Sequence, residues 1–163
     1  MLRPITAGPS RRDADAYVLL PKYIKRIPRK ELRNGHWRVR TDNVYDSAGR
    51  RTWLSVDAKV SASSRSKGET VSVSLNYHQT SIRCIDWEAV KTSATGQVIH
   101  GWHEHLWDDE HGRDWCVPFD PPLESANDLE RMFICACHHW NIEVRSRRGR
   151  DQILREANSD ATN

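Results

Sequence analysis

Long apolar runs are the first thing this sequence lacks. No stretch approaches the roughly 18 apolar residues that a membrane-spanning helix requires. Only 37% of the 163 residues are hydrophobic, and the mean hydropathy is −0.76. The first ten residues contain no apolar segment of the kind found in secretory signal peptides, and arginines follow at positions 11 and 12. We therefore predict a cytoplasmic protein that does not interact with a membrane.

Cysteine is also scarce, and the four cysteines have no framework-like spacing. They are Cys84, Cys116, Cys135 and Cys137. In a cytoplasmic protein we expect these thiols to stay reduced. The sequence further lacks a glycine-rich phosphate loop, a dinucleotide fingerprint, a nucleophile elbow and an H-E-x-x-H helix motif. We therefore predict no cofactor, and no standard motif assigns metal ligands.

Charge is distributed unevenly along the chain. Residues 1–40 carry eleven Lys and Arg against three acids, whereas residues 101–130 carry one Arg against nine acids. A basic arm of this kind can contact nucleic acid or an acidic partner, and a solvated tail is the alternative. The predicted nucleic-acid-binding residues are the six cations of its most basic part: Lys22, Lys25, Arg26, Arg29, Lys30 and Arg33.

Alternation of apolar and polar residues dominates the middle of the chain. Connections between the alternating segments are too short for parallel crossovers, so we predict an antiparallel meander of five to six strands. Its main strands are predicted at residues 36–41, 52–62, 71–77, 81–90 and 97–107. Residues 125–140 have the i, i+3, i+4 spacing of an amphipathic helix, with Ser125 as the N-cap. Strands followed by one main helix on one face indicate an α+β fold.

Length and composition favour one folded domain with polar ends. Residues 1–16 are predicted to be a disordered N-terminal arm, because they contain turn-forming residues and no hydrophobic period. Residues 17–145 are predicted to form the single α+β domain, which begins with an extended edge segment at residues 17–27. Residues 146–163 are predicted to be a polar C-terminal tail.

The stretch from His100 to His111 concentrates the residues that can carry chemistry. It contains four histidines, two tryptophans and four acids in twelve residues. On a strand, His103 and His105 share one face about 7 Å apart, and Glu104 points to the other. Neutral imidazole acts as a general acid or base, or as a metal ligand, near pH 7. We expect the two imidazoles to extend side by side into water; a solvated polar strand face is the alternative.

The preceding strand supplies two further candidates. If it pairs with residues 97–107, one of its polar side chains neighbours the histidines across the ladder. Asp86 can orient an imidazole, and Arg83 can stabilise a developing phosphoryl charge. Alternation directs these two side chains to opposite faces, and a surface ion pair is the alternative. The predicted catalytic residues are therefore His103, His105, Arg83 and Asp86.

A family resemblance rests on the order of these motifs. An Ile-Arg-x-x-Asp element (Ile82, Arg83, Asp86) precedes the His-x-His strand (His103, His105), and a proline-rich approach leads into one amphipathic helix. This order, over residues 70–144, resembles small toxin-like proteins of prokaryotic toxin–antitoxin operons. The resemblance implies an RNA-directed nuclease activity carried by Arg83, Asp86, His103 and His105, and an antitoxin as protein partner.

Three functions follow from the sequence, and they differ in class. The first is a metal-independent ribonuclease that uses His103 and His105 as base and acid. The second is a non-catalytic interaction module of mobile-element or phage origin. Its acidic residues 101–130 would bind a basic partner, or its exposed tryptophans an apolar one. The third is a divalent-metal-binding domain in which His111 joins His103 and His105, with the acids that precede it as further oxygen ligands.

Overall fold

The computed structural model describes residues 8–62, 69–108, 110–126 and 128–145. The predicted C-terminal tail and the first seven residues of the predicted N-terminal arm lie outside these ranges. Within them the chain forms two α-helices, α1 (Arg11–Leu19) and α2 (Leu129–His139), and ten strands. The strands are β1 (Lys22–Ile24), β2 (Glu31–Arg33), β3 (His36–Thr41), β4 (Tyr45–Asp46), β5 (Leu54–Ala62), β6 (Glu69–Tyr77), β7 (Thr80–Thr92), β8 (Val98–Asp108), β9 (Gly112–Pro118) and β10 (Ile142–Val144).

The strands form two sheets. The larger sheet has the order β2-β3-β5-β6-β7-β8-β9, with every neighbouring pair antiparallel. The smaller sheet has the order β10-β1-β4, in which β1 and β10 are parallel. The α+β prediction with a mainly antiparallel sheet is confirmed. The predicted five to six strands are too few, because short strands at both ends of the meander carry little periodic signal.

Strand alternation gives the larger sheet two different faces. The core face is crossed by a register row of mostly apolar residues: Val39, Ala58, Val73, Ile85, Glu104 and Val117. The polar face is crossed by the adjacent row: Arg40, Asp57, Ser74, Cys84, His105 and Cys116. A shift of one residue in any of these strands would exchange the two faces, so burial of the core face fixes the register.

Helix α2 packs on the core face. Its buried residues, among them Met132, Phe133 and Cys137, join the apolar residues of β3, β5 and β6 in one hydrophobic core. The predicted helix is confirmed, but Ser125 as its N-cap is wrong: Asp128 accepts from the Arg131 amide, and Ser125 lies in a preceding 3-10 turn. Neither helix in the described ranges is long and apolar enough to cross a membrane.

Helix α1 corrects the N-terminal predictions. Residues 11–16 were predicted to be disordered and residues 17–19 extended, whereas both form this helix. Ser10 caps it by accepting from the Asp13 amide at 3.1 Å. Tertiary contacts then hold the segment: the Trp107 indole donates to the Pro9 carbonyl at 2.7 Å. A helix with a polar composition is stable here because the sheet supplies its partners.

Lys22 closes the C-terminus of α1, which corrects its predicted role in nucleic-acid binding. Its ammonium is buried and donates to the carbonyls of Tyr17 at 2.6 Å, Val18 at 3.0 Å and Leu20. Helix ends leave such carbonyls without partners, and a cation there is favoured by the helix dipole. Lys22 therefore stabilises the fold and is not available to a nucleic-acid backbone.

Replacing Lys22 by methionine is expected to lower the free energy of unfolding by about 2–3 kcal/mol, because the helix carbonyls lose a charged donor. Burial lowers the pKa of Lys22 to about 8 from 10.5. Between about pH 8 and pH 10.5 the unfolded chain therefore holds this proton, whereas the folded chain has released it. The contribution of Lys22 to the free energy of unfolding consequently increases as the pH rises through this range. Urea unfolding of both proteins at pH 7 and pH 10 measures this.

We expect the free energy of unfolding of Lys22→Met to fall further below that of the parent protein at pH 10 than at pH 7. Lys25→Met is the matched control, because Lys25 is exposed and its ammonium lies over the face of the Tyr45 ring. It should cost at most about 1 kcal/mol. Equal losses in the two variants would contradict the capping role of Lys22.

Candidate metal centre

The β7–β8 pairing brings together residues that are far apart in the sequence. Asp86 is the register partner of His103, and Cys84 is the partner of His105. The predicted antiparallel pairing of these strands is confirmed. Both imidazoles share the polar face, as their spacing predicted. The register places Asp86 on that face with them, and it thus decides between Asp86 and Arg83, which the sequence had left open as neighbours.

The three polar side chains converge on one point. The Nε2 atoms of His103 and His105 are 3.1 Å apart. Asp86 Oδ1 lies 2.9 Å from His103 Nε2 and 3.4 Å from His105 Nε2. Glu88 follows on the same face of β7, with Oε1 at 3.9 Å from His103 Nε2. One potential ligand atom from each of these four residues lies within 4.8 Å of every other.

Backbone carbonyls orient both imidazole rings. His103 Nδ1 lies 3.0 Å from the Gly101 carbonyl, and His105 Nδ1 lies 2.7 Å from the Arg113 carbonyl. A carbonyl oxygen only accepts, so each Nδ1 carries the proton and donates it. In the neutral tautomer this leaves a lone pair on each Nε2, directed at the other Nε2 and at Asp86. Three acceptor atoms thus face one another, and a cation between them, either a proton or a metal ion, relieves the repulsion.

Burial of the cluster corrects one expectation. His103 has no exposed surface and His105 is 6% exposed. The prediction that both imidazoles extend into water is therefore wrong. Asp86 Oδ1 is also buried and has no aligned hydrogen-bond donor in the described ranges, although His103 Nε2 is close. An acceptor buried in this way costs free energy unless a hydrogen-bond donor or a cation satisfies it.

The charges within the cluster reinforce one another. Burial raises the pKa of Asp86, but the two neighbouring imidazoles outweigh it and hold the pKa well below its ordinary value. Burial lowers the pKa of His103, but Asp86 and the Gly101 carbonyl outweigh it and raise the pKa above its ordinary value. The site therefore favours an ionised carboxylate and a positive charge beside it.

Cys116 offers a second arrangement of ligands. Its Sγ lies 3.3 Å from His105 Nδ1, and it forms a possible ligand group with both histidines. However, His105 Nδ1 already donates to the Arg113 carbonyl, so it has no lone pair for a metal ion. Burial also raises the pKa of the Cys116 thiol, which favours the protonated form. The geometry therefore favours Asp86 over Cys116 as the third ligand.

Arg83 lies away from the cluster, on the core face. Its guanidinium is buried and forms an ion pair with Asp15 of α1, and its Nε lies 3.9 Å from Glu104 Oε1. The expectation that Arg83 and Asp86 point to opposite faces is confirmed. Arg83 is consequently not placed to stabilise charge beside the two histidines.

His111 forms a separate group. Its Nδ1 lies 2.8 Å from Asp108 Oδ1, in the turn between β8 and β9, and Glu110 is the third member. Among the described residues it does not join the ligand groups of His103 and His105. The metal site that was predicted from His103, His105 and His111 is therefore not formed, and the predicted acid Asp109 lies outside the described residues.

The remaining predicted nucleic-acid-binding residues are dispersed. Lys25 and Lys30 lie over the rings of Tyr45 and Trp37, respectively. Arg26 and Arg29 are exposed, and Arg33 lines a groove beside β3. The sequence interpretation missed the other basic residues of that groove, which are Arg38, Arg40 and Lys59, and also His36. Their alternation on β3 and β5 was the signal that could have identified them.

No protein-family model, curated protein or solved structure matches this chain.

Proposed function

We propose that the protein is a divalent-metal-binding domain, with Asp86, His103 and His105 as ligands of one first-row transition-metal ion such as zinc. The observation that carries the proposal is the convergence of three acceptor atoms at 2.9, 3.1 and 3.4 Å. Both histidine rings are held by backbone carbonyls on their other nitrogen, the arrangement that orients metal-ligating histidines in proteins.

The spacing of these atoms agrees with a shared ion. With metal–nitrogen distances of about 2.0–2.1 Å, neighbouring ligand atoms around a tetrahedral ion are about 3.3 Å apart, and around an octahedral ion about 2.9 Å apart. Two imidazoles select against magnesium and calcium, which prefer oxygen ligands. Zinc, iron(II), cobalt(II) and nickel(II) all accept two imidazoles and a carboxylate.

Glu88 lies at the accessible side of the site. Its side chain is 40% exposed, and that of Asp86 is 26% exposed, whereas His103 is fully buried. Glu88 can therefore approach as a fourth ligand, or leave that position to water or to a ligand that arrives from the polar face. When bound, the ion would supply Lewis acidity at that position and connect β7 to β8.

The metal-independent ribonuclease predicted from the sequence agrees less well with this geometry. Its proposed acid and base are buried, and they share one carboxylate. Its proposed charge stabiliser, Arg83, lies on the opposite face of the sheet. The toxin-like nuclease and the protein-interaction module stay predictions, to be tested by activity assays and partner searches.

Isothermal titration of chelator-treated protein with zinc chloride tests the proposal. We expect one ion per chain, with affinity reduced by at least roughly 100-fold in the double variant His103→Ala/His105→Ala. His111→Ala and His139→Ala are matched controls, because both histidines lie outside the Asp86 cluster. Binding that survives in the double variant, or is lost in a control, would assign the ion to another site.

A further inference from the structure

A basic groove lies on the polar face at the other end of the larger sheet. It has a volume of about 640 Å³ and is formed by β3, β5 and the turn between β2 and β3. Four permanent cations and one carboxylate line it, together with neutral side chains and His36. The charged residues are Arg33, Arg38, Arg40, Lys59 and Asp57.

Two of these cations are free to bind an anion. Arg38 forms a bidentate ion pair with Asp57, with Nε donating to Oδ1 at 2.6 Å, and Arg40 donates to Asp42. In contrast, Arg33 and Lys59 have no ion-pair partner within the described ranges, and both are exposed. The groove therefore keeps a positive charge after its internal ion pairs are counted.

An aromatic pair lies at the start of β5, where Trp53 precedes the strand. Trp53 is 70% exposed and stacks on His78, with ring centroids 4.8 Å apart and an interplanar angle of 24°. The two rings line a second depression of about 370 Å³, together with Arg51 and Asp42. Asp42 is the residue that Arg40 of the basic groove contacts, so the two depressions are adjacent.

One face of the Trp53 ring is covered by His78, and the large exposed fraction shows that the rest is accessible. From Trp53 to Lys59 the chain advances six residues, which corresponds to about 20 Å along a strand. The basic groove and the Trp53 depression together form a track with cations at one end and a flat aromatic surface at the other. Proteins that bind single-stranded nucleic acid combine these two features, because the cations contact backbone phosphates and the aromatic ring stacks on a base.

We propose that this track binds single-stranded nucleic acid, with phosphates at Arg33 and Lys59 and a base stacked on Trp53. Single strands fit better than a duplex, because stacking on Trp53 needs an unpaired base face. The track differs from the basic arm predicted from the sequence, with which it shares only Arg33. Binding to the track does not depend on the metal centre. The basic groove and the metal centre nevertheless lie on one face of the sheet, because one register row runs from Arg40 to His105.

Fluorescence anisotropy with 12-nucleotide oligo-dT and oligo-rU measures the binding, at 25–200 mM salt with a chelator present. Arg33→Gln/Lys59→Gln is expected to weaken binding to both probes and to reduce the slope of log affinity against log salt by about 1.4, since each lost phosphate contact removes about 0.7. Trp53→Ala is expected to weaken binding roughly 5- to 150-fold, whereas Trp53→Phe keeps most of the affinity.

Arg12→Gln/Arg113→Gln is the matched control. It removes the same charge from exposed arginines outside the track, on α1 and on β9. Its affinity should stay within about 2-fold of the parent, and circular dichroism of all variants checks that the fold is retained. Because the chelator removes any bound ion, a failure of the metal proposal leaves this result unchanged.

Three outcomes would overturn the proposal. The first is no binding of either oligonucleotide at 25 mM salt. The second is an equal loss in the track pair and the control pair, which would indicate a diffuse charge effect. The third is equal affinity for a 12-base-pair duplex or for poly-glutamate with no effect of Trp53→Ala, which would indicate a general polyanion surface.

Discussion

Glu104→Ala is expected to lower the free energy of unfolding by about 3–5 kcal/mol, the largest effect we expect from one substitution in this chain. The Glu104 carboxylate is buried and accepts from the Trp140 indole at 2.7 Å and from His139 Nε2 at 2.8 Å. Arg83 Nε lies 3.9 Å away. Removing the carboxylate leaves a buried indole donor unsatisfied and a buried guanidinium with less compensation, which is costly.

Urea unfolding at pH 7 measures this effect, and two variants provide controls. Glu104→Gln keeps an oxygen acceptor for Trp140 but loses the charge, so its loss should be smaller. Glu110→Ala removes a carboxylate that is 84% exposed and should change stability by less than about 0.5 kcal/mol. If Glu104→Ala lost no more than Glu110→Ala, the carboxylate would not be the link between β8 and α2.

The second-largest effect that we expect is stabilisation of the folded protein by zinc, seen as a rise in its Tm. An ion that binds only the folded chain stabilises it by about 2.7 kcal/mol at a free concentration of 100 times Kd. For a chain of this size that corresponds to a rise in Tm of roughly 5–10 °C. The expectation follows because Asp86 and both histidines converge only when β7 and β8 are paired.

Differential scanning calorimetry with and without zinc tests this expectation. Asp86→Asn and His103→Ala should abolish the shift, whereas His111→Ala should keep it. Stoichiometric binding without a rise in Tm would contradict a site assembled by the fold, because the unfolded chain would then bind the ion equally well.

Much of the sheet could be predicted from the sequence. The alternation in β5 and β6 is regular because one side of each strand faces α2 and the other side is polar. The same logic predicted the β7–β8 pairing and the opposite directions of Arg83 and Asp86. These predictions succeeded because local periodicity and burial agree in the central strands.

Helix α1 could not be predicted from its hydrophobic pattern, because only Ala14 among its residues is buried. A capping signal was nevertheless present, since Ser10 and Asp13 have the spacing of a capping box. The role of Lys22 depends on the end of this helix and on burial by other elements. The sequence around Lys22 contains several other cations, so nothing in it distinguishes a buried lysine that caps a helix from an exposed one.

The side-chain cluster of the proposed metal centre was predicted only in part. His103 and His105 were identified as a pair, and Asp86 as one of two alternative neighbours beside Arg83, but the expected third histidine, His111, lies in another group. Ligands from two strands separated by a long hairpin follow no fixed spacing, so no motif describes them. The burial of both rings depends on tertiary packing that alternation alone does not specify.

Strand β8 carries His103, Glu104 and His105 in succession, with the imidazoles on one face and the carboxylate on the other. Occupation of the ion site should therefore be detectable from the far side of the sheet, because Glu104 is hydrogen-bonded to Trp140 at the end of α2. A slower exchange of α2 amide hydrogens in the presence of the ion would be the corresponding signal, although no residue of that helix belongs to the ligand group.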